Sequence, residues 1–398
     1  MKQLIRIFLA LTLNASFLMV CSNAHAATHH YVVTNDDNPS ANSVSVYEVT
    51  GASLTHLSTV PTGGTGIGGE YFGQVDQAIA QDGGSTCLFA ADAGSSDIVA
   101  MTEISSAPYL QVVSNYVSPD GDSGTYLGIG IVISGGYLYA NYTGTPSIGV
   151  WQIDPGCTLD YVTHLTGASG INGGAIDGMM PTPNGDYLVV AYGDGSVGSY
   201  AIHQGNISPL GQEIIAGSNV GAGAYAGAVV ISSNGKWAIF GDYSSSNYTQ
   251  LDVARIGSNG ALAPTTTYGG TGSLGTGVDS NGIQLSPDNR FLYVVDSLSG
   301  QETTVAFNSS SGVISYPNGC LTSLNGFNTN WAYASQVAVA VPSGSGLGLY
   351  ISEGFGIADS YIALLQVNGS TGCATEAPGS PFVDAAWTGM ESITPYSQ

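Results

Sequence analysis

The sequence predicts an all-β protein, a seven-bladed β-propeller with four-stranded antiparallel blades. Seven β-branched or aromatic runs recur at intervals of 56, 50, 50, 50, 54 and 58 residues. Each run is followed by a turn rich in small and polar residues and then by further strands, and most are preceded by a short apolar strand. Four strands per repeat is typical of a propeller. With 57 glycines and a charged fraction of 8%, the same stretches show no sustained helical period.

The repeated runs share an aromatic or apolar start and an aliphatic middle. They are YVVTN from Tyr31, CLFAAD from Cys87, YLYANY from Tyr137, YLVVAYG from Tyr187, WAIFGDY from Trp237, FLYVVD from Phe291 and LYISEG from Leu349. A β-sandwich or a solenoid could share this composition, but the chain ends favour a closed ring. The first repeat lacks an inner strand, and the C-terminal segment Gly389–Pro395 resembles one. We therefore expect that segment to complete blade one.

The first 26 residues are typical of a secretion signal. Lys2 and Arg6 precede an apolar run, and Ala24 and Ala26 supply small residues at the two positions that a signal peptidase recognises. We expect cleavage near Ala26, a secreted or periplasmic protein, and a propeller domain over residues 27–398. The apolar run is short for a membrane-spanning helix, and no later segment is long and apolar enough, so we expect no membrane insertion.

The charge of the remaining chain is strongly negative. Without the signal, three of the five basic residues remain, Lys236, Arg255 and Arg290, against 28 acidic residues, which gives a formal charge of −25. Three cations cannot make the basic surface that nucleic acid or an anionic membrane requires. Phosphorylated substrates are disfavoured for the same reason. We expect a soluble monomer whose partner is a small neutral molecule or a carbohydrate.

Four cysteines remain after signal removal, Cys87, Cys157, Cys320 and Cys373. An even number in an oxidising compartment predicts two disulfides, with three possible connectivities. In the repeat scheme, Cys87 lies in an inner turn of blade two and Cys157 in an outer turn of blade three, on the same face. Cys320 and Cys373 share equivalent outer turns of blades six and seven. We therefore favour the pairs 87–157 and 320–373.

Three segments share a similar strand, two of them preceded by a polar turn: SPDNRFLYVVD (Ser286–Asp296), TPNGDYLVVAY (Thr182–Tyr192) and YVVTN (Tyr31–Asn35). They resemble the repeat of the lactonase-like seven-bladed propellers, which include 6-phosphogluconolactonase-like proteins and YVTN-repeat surface proteins. The likeness covers nearly all of residues 28–398 and implies the fold more strongly than the chemistry. By resemblance alone, it implies hydrolysis of a lactone.

The inner strands depart from that family. Its members often carry a histidine near the start of the inner strand, facing the channel. The matching positions here are approximately Asp76 or Gln77, Ile129, Asp177, Gly227, Asn281, Gln336 and Gly389, and none is histidine. We expect Arg290 in a turn opposite the binding face and Arg255 in an outer strand. A phosphosugar lactonase would need cations at the channel mouth.

Oxygen donors cluster instead at the predicted channel face, by which we mean the face formed by the loops that lead into the inner strands. The propeller's symmetry brings Asp76, Asp177, Asn281, Gln336 and Glu391 toward one axis. One interpretation is a metal site formed by Asp76, Asp177, Asn281 and Glu391, because Ca²⁺ prefers six to eight oxygen ligands. Such an ion could polarise a lactone carbonyl, with Asp177 or Glu391 as the catalytic base. The alternative is a water-filled channel in which these groups bond to one another.

The same loops carry aromatic rings, which favour a binding surface for sugars or flat organic ligands. The predicted substrate-binding residues are Tyr71, Gln77, Tyr126, Tyr225, Asn281, Trp331, Tyr333, Gln336 and Trp387. Many of these rings could equally pack between blades. Three functions therefore stay open from the sequence: a secreted lactonase-like hydrolase of an uncharged or weakly charged lactone, a non-catalytic exported propeller that binds carbohydrate or protein, and a structural envelope protein.

Overall fold

In the computed structural model of the chain, the described residues form thirty β-strands. It describes residues 29–68, 77–82, 84–125, 128–214, 224–244, 247–269, 282–296, 300–315, 320–324, 333–340, 347–354, 361–383 and 392–397. Within these residues there is no helix, and so none that could span a membrane. The predicted signal, residues 1–26, lies outside them.

The strands follow one another in chain order around the ring. The first eleven are β1 His30–Asn35, β2 Ser43–Thr50, β3 Ser53–Pro61, β4 Gln77–Asp82, β5 Ser85–Asp92, β6 Asp97–Glu103, β7 Leu110–Val117, β8 Ile129–Ser134, β9 Tyr137–Tyr142, β10 Ser147–Asp154 and β11 Thr158–Thr166. The next eight are β12 Ile176–Pro181, β13 Tyr187–Tyr192, β14 Ser196–His203, β15 Asn206–Ile214, β16 Ala224–Ile231, β17 Trp237–Ser244, β18 Asn247–Ile256 and β19 Leu262–Gly269. The last eleven are β20 Gly282–Leu285, β21 Phe291–Asp296, β22 Gln301–Asn308, β23 Val313–Ser315, β24 Leu321–Ser323, β25 Tyr333–Ala340, β26 Leu347–Gly354, β27 Tyr361–Val367, β28 Ala374–Glu376, β29 Phe382–Val383 and β30 Ser392–Ser397.

These strands form seven antiparallel sheets, which confirms the predicted seven-bladed propeller. Blades two to five run in order from an inner to an outer strand as β4–β7, β8–β11, β12–β15 and β16–β19. In blade six the outer strand is split into β23 and β24, which both pair with β22. In blade seven the outer strand is likewise split into β28 and β29, which both pair with β27.

Blade one is completed by the C-terminus, as the sequence predicts. Strand β30 pairs antiparallel with β1, with Val33 opposite Thr394. The strand begins at Ser392, and residues 389–391 of the predicted segment lie outside the described residues. The sheet order is therefore β30, β1, β2, β3 from the inside outward. Hydrogen bonds between β30 and β1 thus join the last strand to the first and give blade one its fourth, innermost strand.

The repeated runs are almost continuously apolar because each of them forms the second strand of a blade. Side chains alternate between the two faces of a strand, and both faces of these strands are covered by a neighbouring blade. In β5, Leu88 and Ala90 pack against blade one, whereas Phe89 and Ala91 pack against blade three. Seven buried apolar clusters result, one at each interface between adjacent blades.

Two disulfides link neighbouring blades with the predicted pairing. Cys87 bonds to Cys157 between blades two and three, and Cys320 bonds to Cys373 between blades six and seven. The predicted position of Cys87 in a turn is wrong, because it lies within strand β5, whose side chains pack between blades. Disulfides form in oxidising compartments, and the pairing is consistent with an exported protein.

We predict that the two disulfides differ in resistance to reductant. Cys87 and Cys157 are fully buried, whereas Cys373 is partly exposed. A mild reductant should therefore open 320–373 first, and differential alkylation with mass spectrometry measures the order. Replacing Cys87 and Cys157 together by alanine should cost about 4 kcal/mol of unfolding free energy, because the disulfide closes a long loop. Equal reduction of both bonds in the folded protein would contradict this ranking.

Candidate functional site

Two of the predicted site residues, Gln77 and Asp177, have described side chains. The others fall into two groups. Tyr71, Asp76, Tyr126, Asn281, Trp331, Trp387 and Glu391 lie outside the described residues. Tyr225, Tyr333 and Gln336 lie on inner strands, in β16 and β25, where the backbone alone is described. The predicted roles of both groups therefore stay predictions, including the four-residue metal set apart from Asp177.

Gln77 connects two blades. It is the first residue of β4, it is buried, and its Nε2 donates to the carbonyl oxygen of Val33 in blade one at 3.0 Å. The Oε1 atom accepts no hydrogen bond within the described part of the chain. A buried amide committed to an inter-blade bond positions the inner strand. This hydrogen bond therefore links the inner strand of blade two to blade one.

Asp177 lies on the inner strand of blade four at a β-bulge. Ile176 pairs with Tyr192 and Gly178 pairs with Ala191, so Asp177 is the extra residue between two ladder positions. Bulges redirect a side chain and often occur beside functional sites. The side chain of Asp177 is fully buried, and neither carboxyl oxygen accepts a hydrogen bond from the residues that the structure describes.

The protonation state of Asp177 follows from this environment. Burial, and next the negative charge of Asp194, raise the pKa of Asp177 well above its usual range. A carboxylate with no hydrogen-bond donor would be costly to bury, so the group keeps its proton. The structure thus holds a neutral carboxylic acid on the inner strand.

Glycines allow this arrangement. A Cβ atom on Gly193 would lie 2.6 Å from Oδ2 of Asp177, so a larger residue there would displace the carboxyl group. A Cβ atom on Gly178 would lie 2.1 Å from the carbonyl oxygen of Gly227, which is where the inner strands of blades four and five approach most closely. Close packing therefore favours glycine at both positions, because a side chain at Gly193 or Gly178 would collide with its neighbour.

Asp194 lies in the turn between β13 and β14, and its pKa is shifted in the opposite direction to that of Asp177. It accepts hydrogen bonds from Ser196 Oγ at 2.5 Å, from the Asn172 backbone nitrogen at 2.6 Å and from the Ser196 nitrogen at 3.0 Å. Burial acts to raise the pKa of Asp194, but the bonds from Ser196 and the backbone outweigh it and hold the pKa below its usual value. Asp194 is therefore ionised at neutral pH.

Asp194 also fixes the loop of residues 167–175, which leads from blade three into β12. Besides the bond from Asn172, Asp194 accepts one from the Gly174 nitrogen at 3.4 Å. A Cβ on Gly170 would lie 2.3 Å from Oδ1 of Asp194, so the loop is wrapped closely around the carboxylate. Together, Asp177 and Asp194 form a pair of acids whose environments push their pKa values apart, which is how acid and base roles are separated in active sites.

Sequence reasoning missed Asp194. It follows strand β13 in the turn Gly193-Asp194-Gly195-Ser196, and the sequence analysis gave this turn no role. The available signal was the Ser two residues after the Asp, because an Asp side chain commonly accepts the backbone and side-chain donors two residues ahead. The pKa of Asp194 depends as well on Asn172, which is 22 positions away.

Two further buried acids show what distinguishes Asp177. Burial raises the pKa of Asp92 to about 7 and that of Glu302 to about 8. Both nevertheless accept hydrogen bonds, Asp92 from Asn42 and Thr62 at 2.8 Å each and Glu302 from Thr304 at 2.8 Å. They lie on a second and a third strand, in β5 and β22, and not on an inner strand. Asp177 combines burial, absence of described donors and an inner-strand position.

The described residues contain no group of three or more histidine, cysteine or acidic side chains arranged to hold a metal ion. The predicted channel set cannot be assembled from them, because three of its four members lie outside. The histidines of the described residues, His29, His30, His56, His164 and His203, lie just before β1 or in β1, β3, β11 and β14, so none of them is on an inner strand. Arg255, however, lies in the third strand β18 and not in an outer strand, which corrects the prediction.

Comparisons with known proteins give a fold relationship. A 6-phosphogluconolactonase candidate from Bacteroides fragilis superposes with a TM-score of 0.68 at 13% identity, covering 94% of this chain and 99% of that one. A similar candidate from Bacteroides uniformis gives 0.65 at 15% identity, covering 93% and 100%. At these identities the similarity concerns the fold, a seven-bladed β-propeller.

A periplasmic gluconolactonase from Pseudomonas aeruginosa is also similar in fold, with a TM-score of 0.55 at 20% identity over 72% of this chain and 80% of that one. No family model matches the sequence, and no curated protein matches it. The resemblance seen in the repeat motifs is thus confirmed at the level of the fold.

We predict opposite pH effects for the two channel-side acids. The pKa of Asp177 is raised in the folded protein, so its cost to stability appears as pH rises above the unfolded value near 4. Asp177→Asn should therefore be more stable than the wild type at neutral pH. The pKa of Asp194 is lowered, so its contribution is present above pH 4 and is lost on acidification. Asp194→Asn should be less stable at neutral pH. Thermal unfolding across pH 3–8 measures both, and parallel curves would contradict the assignment.

Proposed function

We propose that this propeller is an exported lactone hydrolase that acts on an uncharged or weakly charged lactone at the channel face, with Asp177 as the proton donor. The observation that carries the proposal is the fully buried carboxyl group of Asp177 on an inner strand, whose oxygens have no hydrogen-bond donor among the described residues. Support comes also from the shared fold with lactonase candidates and with a periplasmic gluconolactonase. The two disulfides support export.

The proposed reaction requires one acid and one water molecule. Water attacks the lactone carbonyl carbon and forms a new C–O bond, while the ring C–O bond breaks. Asp177 gives its proton to the departing ring oxygen and takes up the proton that the attacking water loses, so the product is the hydroxy acid. From the sequence alone, Asp177 or Glu391 is predicted as the base. Because burial retains its proton, we propose the acid role first and the base role on completion of the cycle.

Asp177 is fully buried, so substrate access requires a local movement. We propose that the loop of residues 167–175, which leads into the strand of Asp177, is the part that moves. Such a movement would break the hydrogen bonds from the backbone nitrogens of Asn172 and Gly174 to Asp194, whereas the ladder between β12 and β13 would stay intact. Closure of such a loop over the substrate would exclude water other than the attacking molecule.

The positions of the cations favour an uncharged substrate. Lys236 and Arg290 lie in turns between inner and second strands, and Arg255 lies near the end of β18, all on the face opposite the channel face. We call this opposite face the far face. No Lys or Arg of the mature chain is therefore available to pair with a phosphate at the channel.

Calcium remains a specific alternative to the proton on Asp177. Unpartnered carboxyl oxygens fit a hard cation, and Asp76, Asn281 and Glu391 would complete the ligand set. Bound Ca²⁺ would supply Lewis-acid polarisation of the lactone carbonyl. In that case Asp177 would serve as an ionised ligand and not as the acid.

We predict that Asp177→Asn lowers kcat/KM on neutral five- and six-membered lactones by roughly 10²–10⁴-fold, the usual effect of removing a proton donor. The matched control is Asp186→Asn, which makes the same substitution in an exposed far-face turn and should leave the rate unchanged. The wild-type rate should fall at high pH, where Asp177 loses its proton. Full activity in Asp177→Asn would exclude this residue as the donor.

The calcium alternative is decided by thermal unfolding of chelator-treated protein with added Ca²⁺, with Mg²⁺ as the control ion. If the proton occupies Asp177, Ca²⁺ gives no stabilisation beyond about 1 kcal/mol. A larger stabilisation that disappears in Asp177→Asn would assign the site to calcium. A wild type that hydrolyses no lactone but binds neutral glycans would instead support the binding-module function.

A further inference from the structure

A cavity on the far face contains two of the three cations of the mature chain. The cavity has a volume of about 600 Å³ and lies between blades four and five. It is lined by the turn Thr182–Asn184 with Tyr187 of blade four, by the turn Ser233–Lys236 of blade five, and by residues Arg255–Ser258 at the end of β18. We call it the cationic groove. In a chain with 28 acidic residues, two cations at one cavity are a local reversal of charge.

The neighbouring blades provide an internal comparison. A groove of about 570 Å³ lies between blades three and four and is built from the equivalent turns, including residues 134–137 and 181–186. The residue before the second strand is Asp186 in that groove and Lys236 in the cationic groove. Arg255 pairs with Trp237 in the ladder, and the matching partner of Tyr187 is Ala201. The charge of the cationic groove therefore comes from two substitutions in a repeated architecture, not from the architecture.

The third cation shows how such a residue is neutralised. Arg290 occupies in blade six the turn position that Lys236 occupies in blade five. Its Nε donates to Asp288 at 2.6 Å, and its Nη2 donates to the carbonyl oxygen of Gly369 at 2.8 Å. At the position of Asp288, blade five has Asn234, whose Nδ2 is committed to the Ser309 carbonyl oxygen at 2.8 Å.

Lys236 and Arg255 are both exposed, and neither forms an ion pair with an acid of the described chain. The acid that neutralises Arg290 has thus been replaced by a neutral amide beside Lys236. Two unpaired cations at one cavity provide the charge that an anion requires. Arg255 adds a planar donor group that can bind a carboxylate through two parallel hydrogen bonds.

An aromatic ring is fixed at the same cavity. The hydroxyl of Tyr187 donates to the Ser258 carbonyl oxygen at 2.9 Å. A Cβ on Gly260 would lie 2.3 Å from Cδ1 of Tyr187, so this ring packs tightly against the turn. The ring is therefore held in place without a ligand, which lowers the entropic cost of stacking a flat apolar surface against it. Asn184 and Ser233 add polar groups to the lining.

We propose that the cationic groove binds an acidic saccharide, with its carboxylate held by Lys236 and Arg255 and a sugar ring packed on Tyr187. The size of the cavity suits a short oligosaccharide. Two cations are too few for nucleic acid, which needs an extended basic surface. Because the groove lies on the far face, binding there leaves the channel face open. This proposal is independent of the lactone hydrolase function.

The test is calorimetric titration of the full mature chain with trigalacturonate at low salt. We expect the wild type to bind and the double variant Lys236→Gln/Arg255→Gln to lose at least about tenfold in affinity, since two charge-assisted contacts are removed. Arg290→Gln is the matched control on the same face. It should change affinity by less than about twofold, because its guanidinium is already paired and an exposed charge elsewhere contributes little. Circular dichroism and thermal unfolding verify that each variant is folded.

Neutral galactotriose and inorganic sulfate complete the experiment. We expect galactotriose not to bind and sulfate to bind more weakly than trigalacturonate, because sulfate has no apolar ring face to pack against Tyr187. The proposal is overturned if the wild type does not bind trigalacturonate, or if Arg290→Gln weakens binding as much as the double variant. It is also overturned if sulfate binds as tightly as the saccharide, which would make the groove a simple anion site. Asp177→Asn should leave trigalacturonate affinity unchanged, so this result and the lactonase result are separable.

Discussion

In each blade, the second strand is buried between the two neighbouring blades. The rest of the molecule depends on this constraint. In these strands both faces are covered, and apolar residues therefore fill consecutive positions. Each blade needs a neighbour on either side, since a single four-stranded sheet would expose the residues that now form the inter-blade clusters. The requirement is met for all seven blades only if the ring closes, and the pairing of β30 with β1 achieves this. The two disulfides reinforce interfaces of the same kind.

Polar groups at the inter-blade interfaces follow from the same constraint. Once a blade is covered on both sides, an acid near the ends of its strands is desolvated and must find donors or keep its proton. Asp194 finds donors in Ser196 and in the incoming loop, so it is ionised. Asp177, at the β-bulge of the inner strand β12, has no described hydrogen-bond donor and stays neutral. The contrast between two acids of one blade is the chemical basis for assigning them different roles.

On the far face, equivalent positions of the repeat carry residues of different charge. Equivalent turns at successive interfaces carry Asp186, Lys236 and Arg290 at one structural position, and their surroundings differ. Arg290 is paired with an acid two residues earlier, whereas Lys236 has an amide there. A repeated scaffold thus lets charge vary turn by turn while the packing between blades is retained. The two faces of the ring consequently differ in chemistry: neutral and acidic groups lie toward the channel, and unpaired cations lie on the other side.

The sequence by itself predicted the architecture, the closure of blade one by the last strand and, as the favoured one of three connectivities, the pairing of the cysteines. These features depend on alternation along strands and on a repeat near fifty residues, both of which are visible in one dimension. It also indicated Asp177 as an inner-strand acid. Only the tertiary structure decided that Asp177 keeps its proton, that Asp194 belongs beside it, and that Lys236 and Arg255 adjoin one cavity. Those properties depend on desolvation and on contacts between blades, such as Tyr187 with Ser258, 71 residues apart. No local pattern encodes such contacts, because each is set by how neighbouring sheets pack.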